Sequence, residues 1–170
     1  MFLSEKEKKI SEQYLNKGYV VQDVVDIDSL NWIRDCLYKI ITSNLPKLKK
    51  DKPEKILNNI HKNISNLELN KFRLEIINKI NSTNNFRENF YKISKPLLDI
   101  VVGNEIAMQL KVNLSIQLPN DDSSLLPVHA DTWSGVSPFE TVVWLPLVDC
   151  YKTKSMFILP PEKNEILNKL

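Results

Sequence analysis

Apolar residues recur at three- and four-residue intervals through the first hundred positions, then switch to every second residue. The first spacing is that of one helix face and the second that of one strand face. Ser4 with Glu7 makes a capping-box pattern and Gly18 supplies a stop, so a helix is predicted over about 5–17. Residues 19–25 read as a short strand. Asp28 or Ser29 then caps a helix whose Leu30, Ile33, Leu37, Ile40 and Ile41 form one stripe. Pro46 and the lysine-rich run 47–52 break that pattern, and the run reads as a solvated connection. Pro53 suits the first turn of a further helix, with Ile56, Leu57 and Ile60 facing inward. Residues 66–80 are amphipathic through Leu67, Phe72, Leu74, Ile76, Ile77 and Ile80. Residues 86–102 hold one more helix, interrupted near Pro96 and ended at Gly103.

The character changes at Ala107. Met108, Leu110, Val112, Leu114, Ile116 and Leu118 alternate with Gln109, Lys111, Asn113, Ser115 and Gln117, which predicts a strand over 107–118. Its polar face meets either water or the inside of a ligand-binding barrel. A loop rich in Asp and Ser follows over 119–127; its Asp121, Asp122, Ser123 and Ser124 show no calcium-loop spacing. Residues 141–148 are nearly all apolar and read as a strand covered on both faces, 155–159 as another short strand, and 162–170 as a terminal helix. Helices first and strands afterwards describe an α+β protein of one domain, mainly helical over 1–103 and stranded over 104–170.

Composition narrows the possibilities without adding chemistry. A 170-residue chain with 42% hydrophobic and 26% charged residues suits one globular domain with a real core. A formal net charge of +2 gives no reason to expect nucleic acid or an anionic membrane as partner. Cys36 and Cys150 have no metal or redox spacing and are expected reduced and partly buried, as in a cytoplasmic protein. The charged start of the chain predicts no signal peptide, and no apolar run is long enough to predict a membrane helix.

The candidate chemistry is His129-Ala130-Asp131. A histidine and a carboxylate two residues apart at a strand end can take two adjacent positions on one metal ion. The short motif also arises by chance, leaving a loop histidine beside a turn aspartate. Only one other histidine exists, His61, on an apparent helix, and none follows Asp131. Asn113 and Gln117, on the polar face of the 107–118 strand, either bind a ligand or face solvent. Trp144 either packs beside a cosubstrate or sits in the core, and Lys154 either pairs with a carboxylate or is solvated. Trp133, Ser134 and Gly135 follow the motif as a loop that could rim a substrate site.

From Asn113 the chain reads NLSIQLPNDDSSLLPVHADTWSGVSPFETVVWLPLVDCYKTKSMFILP. The polar-faced strand, the loop, His-x-Asp, the VVWLPLVD segment and the ILP segment resemble the Fe(II)/2-oxoglutarate dioxygenases. The likeness is to the phytanoyl-CoA hydroxylase-like branch, and within it to oxygenases associated with carbohydrate biosynthesis clusters. It covers about residues 104–160. The resemblance implies a double-stranded β-helix, a cupin-like jelly roll, packed against the helical region. It implies His129 and Asp131 as iron ligands, with Gln117, Asn113, Trp144 and Lys154 as candidate contacts to 2-oxoglutarate. It also implies O₂ and a small-molecule or carbohydrate-linked substrate.

The chain departs from that family in one respect. The family's second histidine and its later basic residue for 2-oxoglutarate have no counterpart after Asp131. Three expectations follow: a chain that is part of a longer protein and inactive by itself, a degenerate homologue without catalysis, or a site completed by His61. A jelly-roll module that binds a sugar without redox chemistry, using Trp133 for stacking, is a separate reading, as is a fragment completed by another chain.

Overall fold

The structure, a computed structural model, describes residues 3–49, 51–122 and 126–163. Helix α1 (Glu5–Lys17) begins and ends as its sequence dictates: Ser4 and Glu7 cap each other reciprocally, and Gly18 takes the left-handed conformation at φ 75°. Helix α2 (Ile27–Asn44) starts at Asp26 instead of the expected Asp28 or Ser29. The Asp26 carboxylate accepts from the Ser29 amide at 2.9 Å and from its hydroxyl at 2.7 Å, so Ser29 is the capped residue and not the cap. Helix α3 (Pro53–Asn58) carries Pro53 in its first turn. A 3₁₀ turn over Ile60–Lys62 holds His61.

At the start of helix α4 (Asn66–Ser82) the Glu68 carboxylate accepts from the Ser65 hydroxyl at 2.7 Å and from its amide at 3.5 Å. The buried stripe of α4 is Leu69, Phe72, Ile76 and Ile80. Leu67 and Leu74, both expected inside, are 97% and 50% exposed. Each stands two residues before a buried one, about 200° away around the helix. Helix α5 (Phe86–Val101) continues through Pro96, contrary to the expected interruption. Proline deletes one backbone donor, but Ser94 and Leu98 on either side are buried and hold both turns to the core.

The five helices pack mainly around α2, which contacts α3, α4 and α5, while α1 lies on α5. Ile33 and Leu37 of α2 meet Ile76 and Ile80 of α4, and none of the four is more than 1% exposed. Ile41, Ile56, Leu57, Ile64, Phe72, Phe86 and Val112 complete this core. Trp32 lies against Phe86 with ring centroids 6.3 Å apart and the planes tilted by 57°. Cys36 is half-buried and Cys150 exposed, and both are free thiols; burial raises the Cys36 pKa, opposed by a hydrogen bond with Thr83.

The expected α+β architecture is overturned. Among the described residues the regular structure is entirely helical, with no strand at 19–25, 107–118, 141–148 or 155–159. The cupin-like jelly roll implied by the resemblance is therefore absent from the described fold, together with its polar inner face. Of the terminal helix expected over 162–170, Glu162 and Lys163 lie in a 3₁₀ turn, Pro161–Lys163, and residues 164–170 lie outside the described residues. The segment expected to be covered on both faces is open: Val142 is 64% and Trp144 45% exposed.

The alternation was real, but it reports facing and not pairing. Val112 and Leu118 are buried and Met108, Leu114 and Ile116 half-buried, while Lys111, Asn113, Ser115 and Gln117 are exposed. Only Leu110 breaks the pattern, at 84% exposure. The surface beneath this segment is helical, and helix side chains take the place of a neighbouring strand. Asn81 of α4 donates to the Val112 carbonyl at 2.9 Å and accepts from the Val112 amide at 2.8 Å. Arg87 of α5 donates to the carbonyls of Gln109 at 3.0 Å and Met108 at 2.8 Å. A strand needs a ladder of such bonds, and a primary amide supplies one rung.

Two outcomes follow. Asn81→Ala leaves both backbone groups of the buried Val112 without partners and lowers unfolding stability by about 2 kcal/mol, whereas Asn113→Ala changes it by less than about 0.5 kcal/mol; urea titration separates them. The Asp26 carboxyl is held below the ordinary aspartate range, first by the Ser29 amide and then by its hydroxyl. Its stabilising share is present above the unfolded pKa and is lost as pH falls through the lower folded value. Asp26→Asn keeps a capping oxygen without titrating, so its acid unfolding limb is shallower than that of the parent chain.

Candidate functional site

The His-x-Asp pair lies where an extended stretch turns. Ala130 has φ −113° and ψ 137°, so the side chains on either side of it project from the same side of the backbone. Asp131 opens a 3₁₀ turn, Asp131–Ser134, which Gly135 closes at φ 84° while its amide donates to the Asp131 and Thr132 carbonyls. Glycine is needed there because a side chain at that φ is strained.

The two functional groups face each other. His129 Nε2 and Asp131 Oδ1 are 3.5 Å apart. Two donors about 2.1 Å from one ion, at angles of about 90–110°, stand about 3.0–3.4 Å apart, so a small closure of this pair would seat an ion. The other ring nitrogen, Nδ1, lies 2.7 Å from the Pro127 carbonyl. A carbonyl only accepts, so Nδ1 carries a proton, and Nε2 is the ring nitrogen turned toward Asp131. An orienting carbonyl behind a ligating imidazole is the usual support of a metal-bound histidine.

The rest of the expected set is dispersed. Among the described residues no group of three His, Cys, Asp or Glu side chains is arranged to hold a metal. His61 is exposed in the 3₁₀ turn after α3. Asn113 and Gln117 are both on the exposed side of the 107–118 segment. Trp144 is neither a core residue nor enclosed beside a ligand. Lys154 is bound to a neutral partner, donating to Asn58 Oδ1 at 2.8 Å with its ammonium 5.7 Å from the Tyr151 ring centre. Asp121 is buried and Asp122 exposed; Ser123 and Ser124 lie outside the described residues.

The pair is open to solvent, with side-chain exposures of 42% for His129 and 52% for Asp131. Val128 and Trp133 beside it are 68% and 66% exposed. A cavity of about 270 Å³ lined by Leu45, Pro46, Lys47, Leu48 and Asn63 includes neither member of the pair. Sequence reading missed four side chains that anchor residues 104–163. They are the Asn81 and Arg87 clamps, the Asn58 side-chain oxygen shared by the Asp149 amide and Lys154, and the Tyr14–Thr141 hydroxyl contact at 3.1 Å. Asparagines at helix ends are too common to be signals, and the partners lie as many as 127 residues apart.

The geometry fixes an outcome independent of any metal: in its neutral form His129 is the Nδ1–H tautomer, and long-range nitrogen–proton correlation spectra place its protonated nitrogen there. A neutral Nε2–H form would remove the preorganisation described above. In comparisons with known proteins, no family model, no curated protein and no solved structure matches this chain.

Proposed function

We propose that His129 and Asp131 are two ligands of a ferrous ion in an oxygenase that uses 2-oxoglutarate and O₂ to hydroxylate a small or carbohydrate-linked substrate, with the third protein ligand supplied from outside the described residues. One observation carries the reading: the Nε2–Oδ1 approach of 3.5 Å with Nδ1 engaged by the Pro127 carbonyl. An ion seated between Nε2 and Oδ1 would meet a donor on each side. Neutral imidazole with a carboxylate suits Fe(II), and the likeness of residues 104–160 to the dioxygenases supplies the reaction class.

Iron and its cosubstrate supply the oxygen chemistry when bound, and the chain's residues position it. Pro127 fixes the ring, Ala130 keeps the two donors on one side, and the Gly135 turn holds Asp131 in place. Asn113 and Gln117 stay the candidates for polar contacts to 2-oxoglutarate. Lys154 is committed to Asn58, and Trp144 is an exposed side chain. The open setting of the pair leaves water unexcluded, so the 170-residue chain by itself binds iron weakly and does not turn over.

Anaerobic Fe(II) titration with and without 2-oxoglutarate tests this. The expected result is binding of 2-oxoglutarate that depends on Fe(II) and falls at least about tenfold in His129→Ala or Asp131→Ala, with His61→Ala unchanged. Equal binding in all four proteins, or 2-oxoglutarate binding indifferent to iron, overturns the proposal.

A further inference from the structure

The helices and the residues after them are held by different forces. Apolar burial is concentrated in residues 3–103; after Gly103 the fully buried apolar side chains among the described residues are Val112 and Leu118. Met108, Leu114, Ile116, Leu145, Leu147 and Val148 rest half-buried against the helical core. Among the described residues no backbone–backbone hydrogen bond joins this part of the chain to the helices. Its attachments run through side chains. Asn81 and Arg87 hold 108–112, Tyr14 meets Thr141 at 3.1 Å, and Asn58 accepts from the Asp149 amide at 3.1 Å and Lys154 Nζ at 2.8 Å. Single bonds of this kind contribute little each. A region with few buried side chains and no backbone ladder opens at lower free energy than a helical core.

The joint between the two parts is free to turn. Gly103 has φ 102°, and no atom lies within 4 Å of the place a side chain would take there. Asn104 and Glu105, which follow it, are exposed. A glycine with open space around it changes its dihedral angles without steric resistance.

We propose that residues 104–122 and 126–163 form a strap that releases from the helical body as one unit, turning at Gly103, while the α2–α4 core stays folded. The inner stretch around Val112 and the outer stretch 141–148 rest on one hydrophobic core, so their latches share a footing. The His129–Asp131 pair lies between the latches. Its order comes from Pro127, Ala130 and Gly135, all within a few residues, so the strap carries the pair intact. While the strap is latched to α1, α3, α4 and α5, the pair is held open to solvent; release is the motion that lets other segments close over it. The strap itself needs no ion and stands apart from the iron reading.

Native-state hydrogen exchange on the full chain, without metal and across sub-denaturing urea, tests it. The Val112 and Asp149 amides report the two latched stretches, and the Leu37 and Ile76 amides report α2 and α4. The expected result is one urea slope shared by Val112 and Asp149, above zero and below that of Leu37 and Ile76, with exchange at least about 100-fold faster than in the core. Tyr14→Phe touches the partner of neither latch amide and speeds both by one common factor, about two- to tenfold. Latch amides that exchange with the slope and rate of Leu37 overturn the proposal, because the strap then opens only with the whole molecule. So does a zero slope at either latch amide, or a Tyr14→Phe effect that fails to reach both.

Discussion

Everything in this molecule hangs on the meeting of α2 and α4. Ile33, Leu37, Ile76 and Ile80 are excluded from water almost completely, and burying side chains of that size is worth about 1.5–3 kcal/mol each. Helices α3 and α5 close around the same centre, and α1 rests on α5. From residues 104–163 Val112 enters this core, and Met108, Leu114, Ile116, Leu145, Leu147 and Val148 pack against it. The segment is otherwise attached to the outside, through side chains that replace the missing strand neighbours.

That attachment shapes the candidate site. Asn81 and Arg87 hold the backbone of 108–112, and Asn58 and Tyr14 hold the ends of 141–148. The stretch with His129 runs between these anchor points. Its internal order is local: a carbonyl two residues back for the ring, an extended alanine between the donors, and a glycine-closed turn behind the carboxylate. Local geometry alone can align two donors. A third donor, a dry cavity and a cosubstrate pocket all require distant segments to close over the pair, and such closure is what the described fold lacks. The open pair and the uncovered apolar face are thus two consequences of one fact, a half-chain lying on a helical body instead of packing around its own core.

The helical caps were readable because they are short-range. Ser4 with Glu7 and Gly18 satisfy orphaned backbone groups within one turn, and Pro53 brings no amide proton to leave unpaired, so residue identity and spacing suffice. The apolar stripe of α2 was equally plain, while in α4 Leu67 and Leu74 misled because composition does not say which arc of a helix faces inward. Likewise Pro96 looked like a break until burial on both sides of it was known.

From its residues alone, the chain determined five helical segments, the inward and outward sides of 107–118, and the closeness of His129 to Asp131, each set by neighbours a few positions away. Tertiary structure decided whether an alternating segment becomes a strand, because pairing needs a second backbone at the right place. Here an amide and a guanidinium from α4 and α5 stand in that place. It also decided the exposure of Trp144 and the engagement of Lys154 with Asn58, since both depend on what lies across the fold from them. Periodicity records which way side chains point; only packing determines what they meet.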